Sequence, residues 1–317
     1  MRPSEVPFEA PLEELRRRIE ELEGYPEGSG RSKEISRLRE KLARDTAEIY
    51  SNLSRWEKTL VARHSARPHT LDYVEHLMSD WIEIHGDRAY GDDPAIVTGL
   101  AQFMGRSVAV VGHQKGRGTK ERIRRNFGQA RPEGYRKALR LMKLAERFSL
   151  PLLCFVDTPG AFPGLGAEQR GQAEAIARNL IEMASLRVPI VVTVTGEGGS
   201  GGALGIAMGD RVYMLEYSVY SVISPEGCAA ILWKDQDKKE NAAEALRLTA
   251  PDTFELGVVD TVIPEPVGAA HANPNETIQN VGGTIAAGLA EIDELPIDKL
   301  LQARYSRFRK IGFMADG

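Results

Sequence analysis

Five glycines stand among the seven residues from Gly196 to Gly202, directly after an apolar run that predicts a buried β-strand. Glycine lets the backbone turn tightly and lets a ligand approach the main chain closely. The small and apolar residues that follow, up to Asp210, predict a short helix. Because the N–H groups of a first helical turn carry partial positive charge, the cluster predicts a site for a phosphate or for a transition-state oxyanion.

A dinucleotide-binding fingerprint also fits this cluster. Gly196, Gly198 and Gly201 have the required spacing, and Glu216 follows at the distance of a ribose-binding acid. The helix after the cluster has only about seven residues before Gly209, whereas a crossover between parallel strands takes about a dozen or more. The short helix therefore argues against a dinucleotide site.

Ser200 stands between Gly198 and Gly202 in the pattern of a hydrolase nucleophile elbow. Such a serine needs a histidine and an acid further along the chain, and His271 is the only histidine that follows it. His271 belongs to the polar segment HANPN, which is typical of a surface loop. A serine hydrolase using Ser200 is one alternative, and a non-catalytic interaction subunit whose glycine loop shapes an interface is another.

A second glycine-containing turn, DTPGAFPG at 157–164, follows another buried apolar run. Two strand ends therefore present glycine N–H groups. Few ionisable side chains lie in either turn. The pattern favours an oxyanion hole built from backbone N–H groups, without a side-chain nucleophile.

Strands that alternate with helices in the second half of the chain predict an α/β fold with a largely parallel sheet. The predicted strands are Ile96–Phe103, Ser107–Gly112, Leu152–Val156, Pro189–Thr195, Arg211–Leu215, Tyr220–Ile223 and Val258–Ile263. The predicted helices of this part are Leu71–Ile84, Pro132–Phe148, Ala167–Ser185, a short helix after Ser224, Asn241–Thr249, 275–293 and 297–310.

The N-terminal part is predicted to be helical throughout. Leu12–Glu23 has the pattern of a charged amphipathic helix, and Ser32–His64 carries one narrow apolar stripe of coiled-coil type. That stripe must be covered by the chain's own domain or by a second subunit, and the sequence leaves both open. Arg67-Pro68 marks the predicted boundary between a helical arm (residues 1–68) and a main domain (residues 69–317).

Composition indicates an ordinary globular protein rather than a nucleic-acid or membrane protein. The 317 residues are 42% hydrophobic and 27% charged, with a net charge of −4. Cys154 and Cys228 lie in apolar surroundings and predict buried thiols in a reducing compartment. No Cys/His cluster has metal-ligand spacing, and neither a signal peptide nor a membrane span is predicted. These features predict a cytoplasmic location.

Six sequence blocks closely resemble the carboxyltransferase α subunits of bacterial multisubunit acetyl-CoA carboxylases, which belong to the crotonase-like (ClpP/crotonase) superfamily. The blocks are GDRAYGDDPAIVTG (86–99), GHQKGRGTKERIRRNFG (112–128), PEGYRKALRLMKLAERF (132–148), DTPGAFPG (157–164), GEGGSGGALGIAMGD (196–210) and YSVISPEGCAAILWK (220–234). The resemblance implies a crotonase-like β-β-α spiral with an N-terminal helical extension. Many crotonases have a catalytic glutamate where this chain has Leu204, which argues against hydration or isomerisation.

The resemblance also implies a reaction and partners. The chain would transfer the carboxyl group from carboxybiotin, on a separate biotin carboxyl carrier protein, to acetyl-CoA, giving malonyl-CoA for fatty acid biosynthesis. It would act in an α2β2 assembly, active only with the β subunit, alongside biotin carboxylase, and hold no metal itself. Gly201 and Gly202 would form the oxyanion hole for biotin, with Gly160 and Ala161 in support, while the β subunit would hold the thioester oxygen.

Three basic residues and one acid are further candidates for substrate binding. Six of the eleven residues from Lys115 to Arg125 are basic. Lys115, Lys120 and Arg124 are predicted to face the phosphates of coenzyme A, a subunit interface or plain solvent. Glu226 lies where some crotonases have a second acid, although an acid at the start of a helix is also favoured by the helix dipole.

Overall fold

The computed structural model describes residues 6–25 and 31–312, and within them the central sheet has eight strands. The strands are β1 (Met78–Glu83), β2 (Ile96–Phe103), β3 (Arg106–His113), β4 (Leu152–Thr158), β5 (Ile190–Gly199), β6 (Arg211–Leu215), β7 (Val219–Ser221) and β8 (Thr261–Ile263). Their order is β1-β2-β3-β4-β5-β6-β8, and β7 pairs with β5. The first three strands are antiparallel, and all later pairings are parallel. The predicted α/β class with a largely parallel sheet is confirmed.

Helices cover the sheet and form the N-terminal arm. They are α1 (Ala10–Glu23), α2 (Ser32–Ser51), α3 (Arg55–Ala62), α4 (Thr70–Leu77), α5 (Gly118–Arg124), α6 (Pro132–Arg147), α7 (Leu165–Gln169), α8 (Gln172–Ser185), α9 (Ser200–Leu204), α10 (Pro225–Trp233), α11 (Lys239–Leu246), α12 (Ala250–Glu255), α13 (Pro274–Asp293) and α14 (Ile297–Lys310). None of these described helices combines the length and the apolar character needed to cross a membrane.

Strand β4 shows that the sheet is buried on both faces. Leu152, Cys154 and Val156 belong to a core cluster with residues of α6 and α8. Leu153 and Phe155, which point the other way, belong to a second cluster with residues of α4 and α13. Such continuous apolar strands are typical of parallel sheets with helices on both faces. The two layers hold the carboxyl ends of β4 and β5 rigidly at one edge.

The predicted helix Leu71–Ile84 is wrong in its second half. Helix α4 ends at Leu77, and the next six residues form the edge strand β1, antiparallel to β2. The Trp81 ring lies over Gly99 of β2, where a Cβ atom would be 2.3 Å from Trp81 Cη2. Cross-strand packing of this kind overrides local helical spacing, so the strand could not be predicted from the segment alone.

Two other predicted helices are interrupted. Ser32–His64 divides into α2 and α3 because Ser54 begins a new helix with a capping box, in which Ser54 and Glu57 exchange side-chain-to-backbone hydrogen bonds. Ala167–Ser185 divides into α7 and α8 at Gly171, whose φ is 80°. Each interruption changes the direction of the chain at a residue suited to a helix end.

Contacts within this chain cover part of the arm's apolar stripe. Tyr50 of α2 packs edge-on against Tyr217 of the main domain, with ring centroids 5.5 Å apart. Both belong to a cluster with Leu12 of α1 and Val61 of α3. Arg67, at the predicted domain boundary, is 1% exposed and forms a fully buried ion pair with the main domain. The arm's C-terminal end is therefore part of the molecule's interior.

Candidate active site

The two glycine turns lie side by side at the carboxyl edge of the sheet. Strands β4 and β5 are parallel neighbours whose pairing reaches Thr158 and Gly198. The first turn begins at Pro159, and α9 begins at Ser200, directly after β5. A Cβ atom on Gly199 would lie 2.3 Å from the Pro159 carbonyl oxygen. The main chains of the two turns are therefore in direct contact.

Gly202 lies at a second point of close approach between the turns. A Cβ atom there would lie 2.5 Å from the carbonyl carbon of Gly160 and 2.6 Å from the nitrogen of Ala161. At Gly201 a Cβ atom would meet only Ile176, at the ordinary contact distance of 3.5 Å. Side-chain volume is thus excluded at Gly202 but not at Gly201.

Three main-chain N–H groups at this contact have no acceptor within the described part of the chain. Gly201 and Gly202 belong to the first turn of α9, where N–H groups have no partner inside the helix. In the opposite turn, the Gly160 N–H donates to Thr158 Oγ1 at 3.1 Å, and the Thr158 hydroxyl donates to the Gly160 carbonyl at 2.9 Å. Ala161 is therefore the donor that remains in the first turn, and the Gly160 N–H is already used.

Ser200 turns the chain from β5 into α9 in a left-handed conformation, with a φ of 51°. Non-glycine residues in this region are strained, and they cluster at functional sites. Among the described residues, no hydrogen bond joins Ser200 to a histidine. His271 instead contacts Glu9 and Tyr50. The serine hydrolase alternative therefore has no base beside its nucleophile.

Helices α6 and α8 hold α9 in place. The Tyr135 hydroxyl donates to the Gly202 carbonyl at 3.4 Å. Asn179 Nδ2 donates to the carbonyls of Gly205, at 2.9 Å, and of Tyr135, at 3.1 Å. Both side chains are fully buried. The position of the α9 donors is thus fixed before any ligand binds, as preorganised electrostatic stabilisation requires.

A neutral histidine lies beneath α9. His113, at the end of β3, is fully buried, and the carbonyl groups of Gly202 and Phe155 face its ring. Burial lowers the pKa of His113 to about 4. The imidazole is therefore uncharged at neutral pH and fills space under the site without adding positive charge. Its position within an apolar strand gave no sign of this role.

A partly buried lysine joins the ends of β4 and β5. Lys115 Nζ lies 2.7 Å from Asp157 Oδ1 and 2.8 Å from Glu197 Oε2, and the Glu197 N–H donates to Asp157 Oδ1 at 2.9 Å. Burial opposes the charge on Lys115, but the two carboxylates outweigh it and raise the lysine's pKa. Burial likewise opposes the charge on Asp157, but Lys115 holds its pKa below the ordinary value. The structure thus places the Lys115 ammonium between two carboxylates.

An arginine that the sequence did not single out extends this network. Arg63 follows directly after α3, with Nε 2.7 Å from Glu197 Oε1 and Nη1 2.5 Å from Glu226 Oε1. Burial opposes the charge on Glu226, but Arg63 keeps its pKa below the ordinary value. Glu226 is therefore an ion-paired carboxylate. Nothing in the spacing of the arm's many arginines distinguishes Arg63, because its partners are more than a hundred residues away.

Two cavities flank the glycine turns. A polar cavity of about 440 Å³ is lined by Arg63, Lys115, Arg122, Phe127, Pro159, Glu197, Ser224 and Glu226. An apolar cavity of about 360 Å³ includes Ser200, Leu204, Tyr220, Val222, Leu256 and Phe308 in its lining. Ser200 and Leu204, at the two ends of α9, thus border the apolar cavity. The ion-paired residues around Lys115 and Arg63 border the polar cavity.

The basic run divides into paired and unpaired residues. Lys115, Arg117 and Arg125 each contact at least one carboxylate. Lys120 and Arg124 are exposed on α5 and make no ion pair with the residues that the structure describes. Both border a shallow cavity of about 370 Å³. Of the three basic candidates from the sequence, two are therefore accessible to a ligand or partner.

One group of potential metal ligands lies between the arm and the main domain. Atoms of Glu9, His64 and His271 lie within 4.8 Å of one another. The two imidazole rings are stacked, with centroids 3.8 Å apart, and the Ala66 N–H donates to His64 Nδ1. In stacked rings the in-plane lone pairs do not converge on one point. Glu9 accepts hydrogen bonds from Tyr50 and His271 instead, so the group attaches the arm to the main domain.

Solved structures with a similar fold define the class. Transcarboxylase 12S, solved as a hexamer with methylmalonyl-coenzyme A bound, has a TM-score of 0.61 and 22% identity, over 74% of this chain and 43% of that chain. A Pseudomonas malonate decarboxylase hetero-tetramer in complex with coenzyme A has a TM-score of 0.56 and 18% identity, over 70% of this chain and 91% of that chain. The chain shares the crotonase-like fold of these structures, as predicted.

Sequence relatives give the family. The chain matches the family described as "Acetyl co-enzyme A carboxylase carboxyltransferase-like" over residues 5–312. It is 55% identical over 313 residues to the acetyl-coenzyme A carboxylase carboxyl transferase subunit alpha of Geobacter metallireducens, covering 98% of each protein. A protein of the same name from Syntrophotalea carbinolica is 58% identical over 304 residues, covering 95% of this chain and 96% of the relative. The chain belongs to this family and is a carboxyl transferase.

Proposed function

We propose that this chain is the α subunit of an acetyl-CoA carboxylase carboxyltransferase and transfers the carboxyl group of carboxybiotin to acetyl-CoA, giving malonyl-CoA for fatty acid biosynthesis. One observation carries the proposal: main-chain N–H groups without recorded acceptors lie where the two glycine turns touch. The names of the sequence relatives support acetyl-CoA as the substrate.

The N–H groups of Gly201 and Gly202 would bind the ureido oxygen of biotin, with Ala161 in support. Negative charge develops on this oxygen as the carboxyl group leaves the ureido nitrogen as CO2. The same nitrogen takes a proton from the acetyl methyl group, and the resulting enolate carbon bonds to CO2. Each donor aimed at such an oxyanion contributes roughly 3–4 kcal/mol. Gly160 would act through its carbonyl and its hydrogen bond to Thr158, which shape the turn.

The remaining parts of the reaction are assigned to partners. The β subunit would bind the thioester oxygen and complete the site in an α2β2 assembly, and the biotin would arrive on a biotin carboxyl carrier protein charged by biotin carboxylase. The apolar cavity beside Leu204 would accept the apolar side of the biotin ring system. No metal is assigned to this chain. The division into an arm (residues 1–68) and a main domain (residues 69–317) and the cytoplasmic location stay predictions.

Lys120 and Arg124 are proposed to bind phosphates of coenzyme A. A Lys120→Ala/Arg124→Ala chain is expected to raise the KM for malonyl-CoA about tenfold, with kcat within about twofold, because the phosphates contribute equally to ground-state and transition-state binding. Lys299→Ala, which changes an exposed lysine on α14, serves as the control. Steady-state kinetics of the α–β complex measure the effect, and an unchanged KM would assign the two residues to an interface or to plain surface.

The function is tested by purifying the chain with and without its β subunit. Biotin-dependent decarboxylation of malonyl-CoA, the reverse half of the reaction, is expected in the mixture and in neither subunit alone. Esterase activity of the lone chain that disappears in Ser200→Ala would support the hydrolase alternative instead. A stable α–β complex without biotin-dependent CO2 release would favour a non-catalytic interaction subunit.

A further inference from the structure

We propose that Arg63 is a positioning residue for carboxyl transfer, which locates the glycine cluster through Glu197. The inference rests on the proposed function, since it concerns the geometry of the donors at Gly201 and Gly202. It also gives the N-terminal arm a part in the reaction, because Arg63 lies before the proposed boundary at residue 68.

Glu197 is the last residue before Ser200 that has a side chain. Between them stand Gly198 and Gly199, which have no side chain to hold the end of β5. Glu197 is fixed at three points: its N–H donates to Asp157, and its two carboxylate oxygens contact different cations. Oε1 contacts Arg63 and Oε2 contacts Lys115. Removing either cation frees one side of the residue from which the glycine cluster extends.

The guanidinium geometry of Arg63 suits this role. Its Nε contacts Glu197 of β5, while Nη1 and Nη2 contact Glu226 of α10 at 2.5 and 3.2 Å. A planar guanidinium can join two carboxylates in fixed directions, whereas a lysine ammonium provides one point charge without a fixed fork. Arg63 therefore fixes the distance between the end of β5 and the start of α10, on one wall of the polar cavity.

Arg55, the first residue of α3, offers a matched control at the opposite end of that helix from Arg63. It also joins two carboxylates of the main domain, Glu244 at 2.5 Å and Asp252 at 2.6 Å. Neither partner lies on a glycine turn, and Arg55 lines neither cavity beside those turns. If weaker attachment of the arm were the only cause, kcat would fall equally in the Arg63 and Arg55 variants. If Arg63 positions the glycine cluster, kcat should fall only in the Arg63 variant.

The test compares Arg63→Gln and Arg55→Gln in the purified α–β complex. Arg63→Gln is expected to lower kcat for biotin-dependent malonyl-CoA decarboxylation by about 10- to 100-fold, with KM within about twofold, since small displacements of catalytic groups have effects of this size. Arg55→Gln is expected to keep kcat within about twofold. Arg63→Lys should recover part of the loss, because one ion pair to Glu197 can re-form. Equal kcat values for the two glutamine variants would overturn the proposal.

A double variant separates positioning from charge balance. Arg63→Gln/Glu226→Gln removes one positive and one negative charge, so the cluster keeps its net charge but still lacks the contact to Glu197. We expect the double variant to have the same low kcat as Arg63→Gln. Recovery of the wild-type kcat would overturn the positioning role and would show that charge balance matters instead. If Arg63→Gln prevents assembly of the complex, Arg63→Lys provides the test. Full activity of Arg63→Lys would contradict the proposal, because a lysine cannot bind both carboxylates with the geometry of the guanidinium. Lack of activity in the wild-type complex would contradict the proposed function instead.

Discussion

A Gly202→Ala chain assembled with its β subunit is expected to lose biotin-dependent carboxyl transfer by a factor of about 10² to 10³ in kcat, the effect of removing one oxyanion-hole donor. The added methyl group would overlap the carbonyl carbon of Gly160 and the nitrogen of Ala161. The two turns must then separate, which moves the donors on both sides of the oxyanion. Steady-state kinetics of malonyl-CoA decarboxylation with free biotin measure the loss.

Gly201→Ala is the matched comparison. Its methyl group would meet only a side-chain carbon of Ile176, at 3.5 Å, and its N–H group stays in place. We expect a loss below about tenfold, because a contact at that distance needs little rearrangement. Gly283→Ala, at an open position in α13, controls for the general effect of replacing glycine by alanine. Equal losses at Gly201 and Gly202, in complexes that assemble normally, would contradict the assignment of the turn contact.

Replacing Lys115 with methionine is expected to give the largest loss of stability. The substitution keeps an unbranched side chain, one atom shorter, but leaves the Asp157 and Glu197 carboxylates without their shared cation. Removing one partner of a buried ion pair costs about 3–5 kcal/mol, so the melting temperature should fall on the order of 10 °C at pH 7.5. Lys120→Met, on the exposed face of α5, is the control and should melt within about 1 °C of the wild type, since isolated surface charges contribute little.

The pH dependence of this difference tests whether a carboxylate left without Lys115 causes it. In the wild type the pKa of Asp157 is lowered, so its contribution to stability is present above the ordinary value of 3.8 and is lost as pH falls through the lowered pKa. Without Lys115, burial raises the pKa of Asp157 above its ordinary value, and protonation at mildly acidic pH relieves the unpaired charge. The gap in melting temperature should therefore be smaller at pH 5 than at pH 7.5. A gap independent of pH would contradict this cause.

The sequence predicted those features that depend on local pattern and on general rules of parallel sheets. Both glycine turns follow apolar strands, so their meeting at one sheet edge could be expected from strand order. The strand β1 was missed because its pairing with β2, and the packing of Trp81 on Gly99, lie outside the segment's own periodicity. Local pattern alone could not supply either contact.

The details of the site depend on long-range contacts that no spacing reveals. The position of Lys115 in a basic run suggested a surface residue. In the structure it lies between the carboxylates of Asp157 and Glu197 and forms ion pairs with both. The Gly160 N–H is used by Thr158, which leaves Ala161 as the donor of its turn. No sequence pattern indicated a role for Arg63, because both of its ion-pair partners lie more than a hundred residues further along the chain.

The direct contact of the two glycine turns also limits how this chain can change in evolution. A site whose working atoms belong to the main chain has no reactive side chain that a substitution within the turns can delete. Within the glycine turns, inactivating substitutions are instead those that add atoms, because even one methyl group at Gly202 would force the turns apart. Purifying selection should therefore act here on volume rather than on chemical identity.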